Sequence, residues 1–265
     1  MTNKKTRTEW APATLSEFDG VRFLHLDSIW VQGAMRIRKP QVLELDYIQR
    51  MMVWMLWRDA AELTEGHAVQ LGLGAAAITR FCHKVLRMKT TAVEINPTVI
   101  AACRSWFHLP EDDARLTVVN MDAERWLQDA EPQRASVLNV DLYDHDAASP
   151  VLDDEAFYAA CRNLLAPGGL MTVNLFGRNS SFARSATRIA RVFGGDQVWT
   201  VAPTKEGNTV VVAGRDILAP EREELERRAA NIEQLYGAYG LPARKWMRLV
   251  RPLPLSIIEK SQSPE

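Results

Sequence analysis

From residue 68 onward, short apolar runs alternate with stretches of helical periodicity, and this alternation constrains the fold more than any other feature of the chain. The runs are Val69 to Leu71, Thr91 to Ile95, Leu116 to Val119, Val137 to Val140 and Leu170 to Leu175. Brief, nearly uninterrupted apolar runs read as strands buried on both faces, so the helices between them cover a parallel sheet from two sides. The helix before the last run is predicted to start at Asp153 or Asp154, to bury Phe157, Cys161 and Leu164, and to stop at Pro167-Gly168-Gly169.

The flanks follow other rules. Residues 18 to 37 alternate apolar and polar side chains, with Asp19-Gly20 and Asp27-Ser28 as turn signals, which predicts short antiparallel strands. Beyond Leu43 the period changes to a helical one through Leu45, Ile48, Met51, Met52 and Met55. After Phe193-Gly194-Gly195, the segments Gln197 to Ala202 and Thr209 to Ala213 flank a turn at Glu206-Gly207-Asn208, so a hairpin strand is expected to end the sheet. Pro220 then opens a charged helix with an apolar stripe of Leu225, Ala229, Ile232 and Leu235, closed by Gly237 and Gly240. The expected division is an N-terminal strand module with its connecting helix over 1–62, a Rossmann-like domain over 63–214 and a C-terminal helix and tail over 215–265.

A net charge of -1 with interspersed signs gives no electrostatic reason to expect nucleic acid or a membrane surface as partner. The first ten residues lack the apolar core of a secretory signal, and no run is long enough to span a bilayer, so a cytoplasmic protein is expected. Cys82, Cys103 and Cys161 are odd in number and sit in helix-like apolar patterns, which implies neither disulfides nor zinc. The five histidines lack ligand spacing, so no metal is expected either.

Acidic residues stand where successive strands end. Val69-Gln70-Leu71-Gly72-Leu73-Gly74-Ala75 places Gly72 and Gly74 where a strand hands over to a helix beginning near Ala76, allowing close approach of backbone and ligand. Glu94, at the end of the next strand, is positioned to accept hydrogen bonds from both hydroxyls of a ribose. Asp122, after the third strand, can accept from the amine of adenine or can cap the helix that holds Trp126 and Leu127. The fourth strand runs into Asp141-Leu142-Tyr143-Asp144-His145-Asp146, a group of carboxylates suited to cationic ligands. A final antiparallel hairpin is usual in S-adenosylmethionine-dependent methyltransferase-like sheets, and that Rossmann-like α/β fold, preceded by a small β-rich module, is the expected class by analogy.

These motifs resemble the polyamine aminopropyltransferases, the spermidine and spermine synthases, over about residues 20 to 214. The resemblance implies Asp141 as general base and Asp144 as amine-binding carboxylate, from the D-x-x-D of Asp141-Leu142-Tyr143-Asp144. It also implies Glu94 on the ribose, Asp122 on the adenine, Gln32 near the sulfonium and Gln49 on the acceptor side. The implied group donor is decarboxylated S-adenosylmethionine, the implied acceptor a small amine, and the implied assembly a homodimer. The chain departs from the pattern at Ala75, where the family has an aspartate that binds the donor's amine, and at Ile48 and Lys205, where it has tyrosines. Loss of the acid at Ala75 keeps intact S-adenosylmethionine open as donor. A methyltransferase and a catalytically silent binding protein on the same fold are the alternatives.

Overall fold

A computed structural model describes residues 10–143, 152–176, 179–254, 256, 257 and 259. Three antiparallel strands, β1 (Ala13–Phe18), β2 (Val21–Leu26) and β3 (Gly33–Arg36), form a small sheet in the order β1-β2-β3. Helix α1 (Asp46–Met51) follows and tightens into a 3-10 segment, Met52–Trp57, that is buried almost throughout.

The main sheet begins with alternating strands and helices: β4 (His67–Leu71), α2 (Ala77–Arg80), β5 (Lys89–Glu94), α3 (Pro97–Trp106), β6 (Leu116–Asn120) and α4 (Ala123–Asp129). It continues with β7 (Ala135–Val140), α5 (Glu155–Leu164), β8 (Leu165–Phe176), α6 (Asn179–Phe193), β9 (Val198–Val201) and β10 (Asn208–Gly214). Helices α7 (Arg222–Tyr236) and α8 (Ala243–Leu249) and a short strand, β11 (Val250–Pro252), complete it. The strand order is β11-β9-β10-β8-β7-β4-β5-β6, with β4 to β8 parallel and β10, β9 and β11 each antiparallel to its neighbour. The expected hairpin end is thus present, with β11 as an edge that the sequence did not announce.

Adjacent residues along these strands belong to opposite cores, as a two-residue period requires. Ala68, Val137, Val210 and Val212 pack with α1, α2, α7 and α8 on one face. Val69, Leu138, Val211 and Ala213 pack with α4, α5 and α6 on the other. A third cluster joins Leu24 and Met35 of the small sheet to Leu73, Ala75, Val99 and Phe107, fixing that sheet beside the β4–α2 loop.

Two sequence expectations shift. Helix α5 does not reach Pro167-Gly168-Gly169: it ends at Leu164, and β8 already includes those residues. The reason is pairing, since Gly168 N–H donates to the Arg215 carbonyl (2.8 Å) and Arg215 N–H returns a bond to Gly169 (2.9 Å). Leu235, assigned to the apolar stripe of α7, is 53% exposed, while Ala229 and Ile232 are buried. No helix among the described residues is long and apolar enough to cross a membrane.

Candidate active site

The chain proceeds from β4 to β5 and β6 on one side, then returns to lay β7 on the other, so the connections diverge between β4 and β7. In open α/β sheets ligands bind at such a divergence, beyond the carboxyl ends of the strands. A cavity of about 650 Å³ lies there. Gly72 and Gly74 after β4, Glu94 ending β5, Asp122 after β6 and Asp141 after β7 all line it, as does Gln32 from the loop between β2 and β3.

Gly72 is fixed by the convergence of these ends. Its N–H donates to the Val93 carbonyl (2.9 Å), while Asp141 N–H donates to the Leu71 carbonyl (2.9 Å). With φ at +84°, a Cβ at Gly72 would stand 2.1 Å from the Asp141 carbonyl oxygen, so the position admits no side chain without displacing the backbone of Asp141.

Glu94 is held by two backbone donors, Leu73 N–H on Oε2 (2.9 Å) and Asn96 N–H on Oε1 (2.8 Å), leaving lone pairs on both oxygens. Burial pushes its carboxyl above the ordinary glutamate value, and the bonds from Asn96 and Leu73 oppose that shift. Asp122 caps α4 by accepting from Arg125 N–H (3.0 Å), as its reading as a helix cap predicts, and it also lines the cavity. Ile95, Met121 and Ala123 give the same end of the cavity apolar surface.

Asp141 lies at the centre. Its Oδ1 accepts from Asn174 Nδ2 (2.9 Å) and its Oδ2 from the Tyr47 hydroxyl (3.3 Å). Burial raises its carboxyl above the ordinary aspartate value, and the hydrogen bonds from Asn174 and Tyr47 partly offset this. Asn174 in turn accepts from Asn208 Nδ2 (3.1 Å), so a polar chain runs from α1 through Asp141 and β8 to β10. Tyr143 lines the cavity with its hydroxyl fixed on the end of β8, donating to the Asn174 carbonyl (2.8 Å) and accepting from Phe176 N–H (2.5 Å).

Gln49 is not among the lining residues; its amide donates to the Leu43 carbonyl (2.7 Å). Tyr47 takes the cavity-facing position of α1, whereas Ile48 is buried in the core. Asp144 and Asp146 lie outside the described residues. Lys205 is exposed and absent from the cavity wall, to which its neighbour Glu206 contributes. Ala75, 3% exposed, also lies off the wall and packs against the small sheet, where a Cβ on Gly33 would come within 2.6 Å of the Ala75 Cβ. Tyr47 and Asn174 were missed by sequence reasoning. The available signal for Asn174 was an amide inside an otherwise apolar central strand, a placement that obliges the amide to find partners.

Taken together, the cavity wall holds six carboxylates, from Glu44, Asp46, Glu94, Asp122, Asp141 and Glu206, and no lysine, arginine or histidine among the described residues. Such a wall favours cationic ligands. Among the described residues no cluster of three or more potential ligand side chains is arranged to hold a metal ion.

Known proteins share both the fold and the sequence pattern. A probable spermidine synthase from Corynebacterium glutamicum superposes with a TM-score of 0.67 at 20% identity, covering 83% of each chain. Human methyltransferase-like protein 13, solved in complex with SAH, superposes with a TM-score of 0.64 at 20% identity, covering 72% of this chain and 92% of that one. In sequence, the polyamine aminopropyltransferase of Neisseria meningitidis is 31% identical over 228 residues, 86% of this chain and 84% of the relative. Residues 74–209, from the second glycine of the β4 loop into β10, match the spermine/spermidine synthase domain. With Glu94, Asp122 and Asp141 at three successive strand ends inside the matched region, the chain belongs to the spermine/spermidine synthase family.

Proposed function

We propose that the protein transfers an aminopropyl group from decarboxylated S-adenosylmethionine to a small amine, with Asp141 as general base. The observation that carries this reading is the charge of the cavity: a wall of carboxylates with no basic side chain among the described residues suits a sulfonium donor and an amine acceptor together. The end walled by Glu94, Asp122 and Ile95 suits the adenosine, with Glu94 accepting from the ribose hydroxyls and Asp122 from the adenine amine. Gln32, Gly72 and Gly74 then adjoin the sulfonium.

A free alkylamine carries a proton at neutral pH, with a pKa of about 10 by analogy to lysine. Asp141 takes that proton, which frees the nitrogen lone pair to attack the carbon bonded to sulfur. The new C–N bond forms as the C–S bond breaks, and the electron pair leaves with sulfur as a neutral thioether. Tyr47 and Asn174 orient the Asp141 carboxylate, and burial, which raises its pKa, makes it a stronger base than an ordinary aspartate. Asp144 is assigned to the acceptor's ammonium on the family motif alone.

One observation favours methyl transfer from intact S-adenosylmethionine as a second reading. Position 75 carries an alanine and so presents no acid to hold the donor's amine. Incubation with each donor and a panel of diamines, followed by mass spectrometry, separates the two: aminopropylated products are expected, and methylated products instead would overturn the assignment. We further take the enzyme to be cytoplasmic and homodimeric, the second point being measurable by analytical ultracentrifugation.

A further inference from the structure

Three consecutive carbonyls of the β4–α2 loop are taken up by buried side chains from behind the cavity wall. Gln70 Nε2 donates to Leu73 (3.5 Å), Cys103 Sγ to Gly74 (3.1 Å) and Arg80 Nη1 to Ala75 (2.5 Å). The three bonds are unequal: the first is long, a thiol is a weak donor, and the third comes from a guanidinium, so Arg80 supplies most of the hold. The loop requires holding. Ala76, fully buried, sits at φ +56°, a left-handed conformation that an L side chain opposes and that persists only where the surroundings over-determine it.

Arg80 is 1% exposed and forms no ion pair with a described carboxylate. Burial pushes its pKa down to about 10, so it keeps its charge at neutral pH. Burying a cation without a counter-charge is costly, and here backbone carbonyls offset the cost. The other edge of the guanidinium, Nε and Nη2, donates to the Pro40 carbonyl (3.2 Å each). Pro40 belongs to the segment between β3 and α1, which has further ties of its own: Val42 N–H to the Lys39 carbonyl (3.0 Å), Leu43 N–H to the Tyr239 carbonyl (2.9 Å) and the Arg36–Glu44 pair. Pro40 is thus the anchored end of the bridge, and the loop is the end that is positioned. On the cavity side of that loop, Leu73 N–H holds Glu94 Oε2 (2.9 Å) and Gly74 lines the wall, so a loop that relaxes at Ala75 displaces both.

We propose that Arg80 is a positioning residue for the group donor: from within the core, and without lining the cavity, it fixes the β4–α2 loop so that Glu94 and Gly74 meet the donor's nucleoside. This rests on the reading above of the Glu94 end as the nucleoside site.

Isothermal titration of the full chain with 5′-methylthioadenosine, the nucleoside left after transfer, tests it without turnover. Arg80→Met is expected to raise Kd about tenfold at unchanged stoichiometry, the low end for a hydrogen bond to a charged group. Arg80→Lys, which keeps the charge but lacks the two-edged fork, is expected to recover part of this and to raise Kd about threefold. A role in stability alone lowers the number of competent sites and leaves their affinity as in wild type; that result, or unchanged binding, overturns the proposal. If Arg80→Met does not fold, Arg80→Lys decides by the same readout, and failure of both to fold makes the role structural and overturns the proposal. In steady-state kinetics, KM for decarboxylated S-adenosylmethionine should rise in Arg80→Met while KM for 1,4-diaminobutane stays as in wild type; equal rises in both overturn it. If Arg80→Met weakens nucleoside binding while the wild-type chain forms no aminopropylated product, the transfer reading fails and the Arg80 assignment stands. If the wild-type chain does not bind the nucleoside, the nucleoside site and the Arg80 assignment fail together.

Discussion

Gly72→Ala tests whether the β4–α2 loop and the proposed base are locked together by backbone contact. Two costs add. The positive φ of +84° imposes about 1–2 kcal/mol of strain on an L-residue. The new Cβ, 2.1 Å from the Asp141 carbonyl oxygen, must also push aside a backbone held by the bond from Asp141 N–H to Leu71, a displacement of the kind that costs about 1–3 kcal/mol. The sum is roughly 2–5 kcal/mol, or about 5–15 °C in Tm for a chain of this size. Gly20→Ala is the internal control, because Gly20 has φ at +73° but nothing lies within 4 Å of the point a Cβ would occupy, so strain alone applies. Urea unfolding of both variants, followed by circular dichroism, gives the comparison. If Gly72→Ala loses no more stability than Gly20→Ala, the backbone lock is not a constraint and the reasoning about this junction is wrong.

Asp141→Asn is expected to bind 5′-methylthioadenosine as wild type does yet lose at least about 100-fold in turnover, the lower range for a general base; near-normal turnover removes Asp141 from that role. The same variant should unfold at pH 7.5 no more easily than wild type. Asp141's folded pKa is raised, so the folded state binds its proton more tightly, and the contribution to stability falls as pH rises from the ordinary aspartate value through the raised one. A large drop in Tm at that pH would contradict the sign. Asn174→Ala removes a bond that favours the charged form of Asp141, so the acidic limb of the kcat/KM profile, where activity is lost as pH falls, should move to higher pH; an unmoved limb would show that Asn174 does not tune the base. Glu94→Gln should weaken nucleoside binding roughly ten- to hundredfold by isothermal titration, and unchanged affinity would take Glu94 off the ribose.

Residues fixed by strand ends were the ones legible from sequence. Gly72, Glu94, Asp122 and Asp141 each follow a recognisable apolar run, and the parallel sheet carries whatever follows such runs to one edge. Residues whose direction depends on tertiary packing were not. On α1, a shift of one residue decides whether Tyr47 or Ile48 turns from the core, and that depends on how the six-residue helix sits against the sheet rather than on its periodicity. The hairpin turn posed the same problem: Lys205 and Glu206 are equally polar in sequence, and the bracing of Thr204 on Asn208 determines which one contributes to the wall. Helix α5 was extended too far because Pro167-Gly168-Gly169 looks like a terminator, while its actual partner, Arg215, is distant in sequence.

The close fit of Gly33 against Ala75 bears on any attempt to exchange parts between this protein and its relatives. A Cβ at Gly33 would come within 2.5 Å of the Ala75 nitrogen, so the small sheet and the β4–α2 loop form a mated pair rather than two interchangeable modules. A chimera that imports the sheet of another family member with any side chain at position 33 would press on the β4–α2 loop. Restoring an acid at position 75 would likewise meet the small sheet from the opposite side. Positions 33 and 75 therefore behave as a single locus, and bulk added at either one requires room to be made at the other.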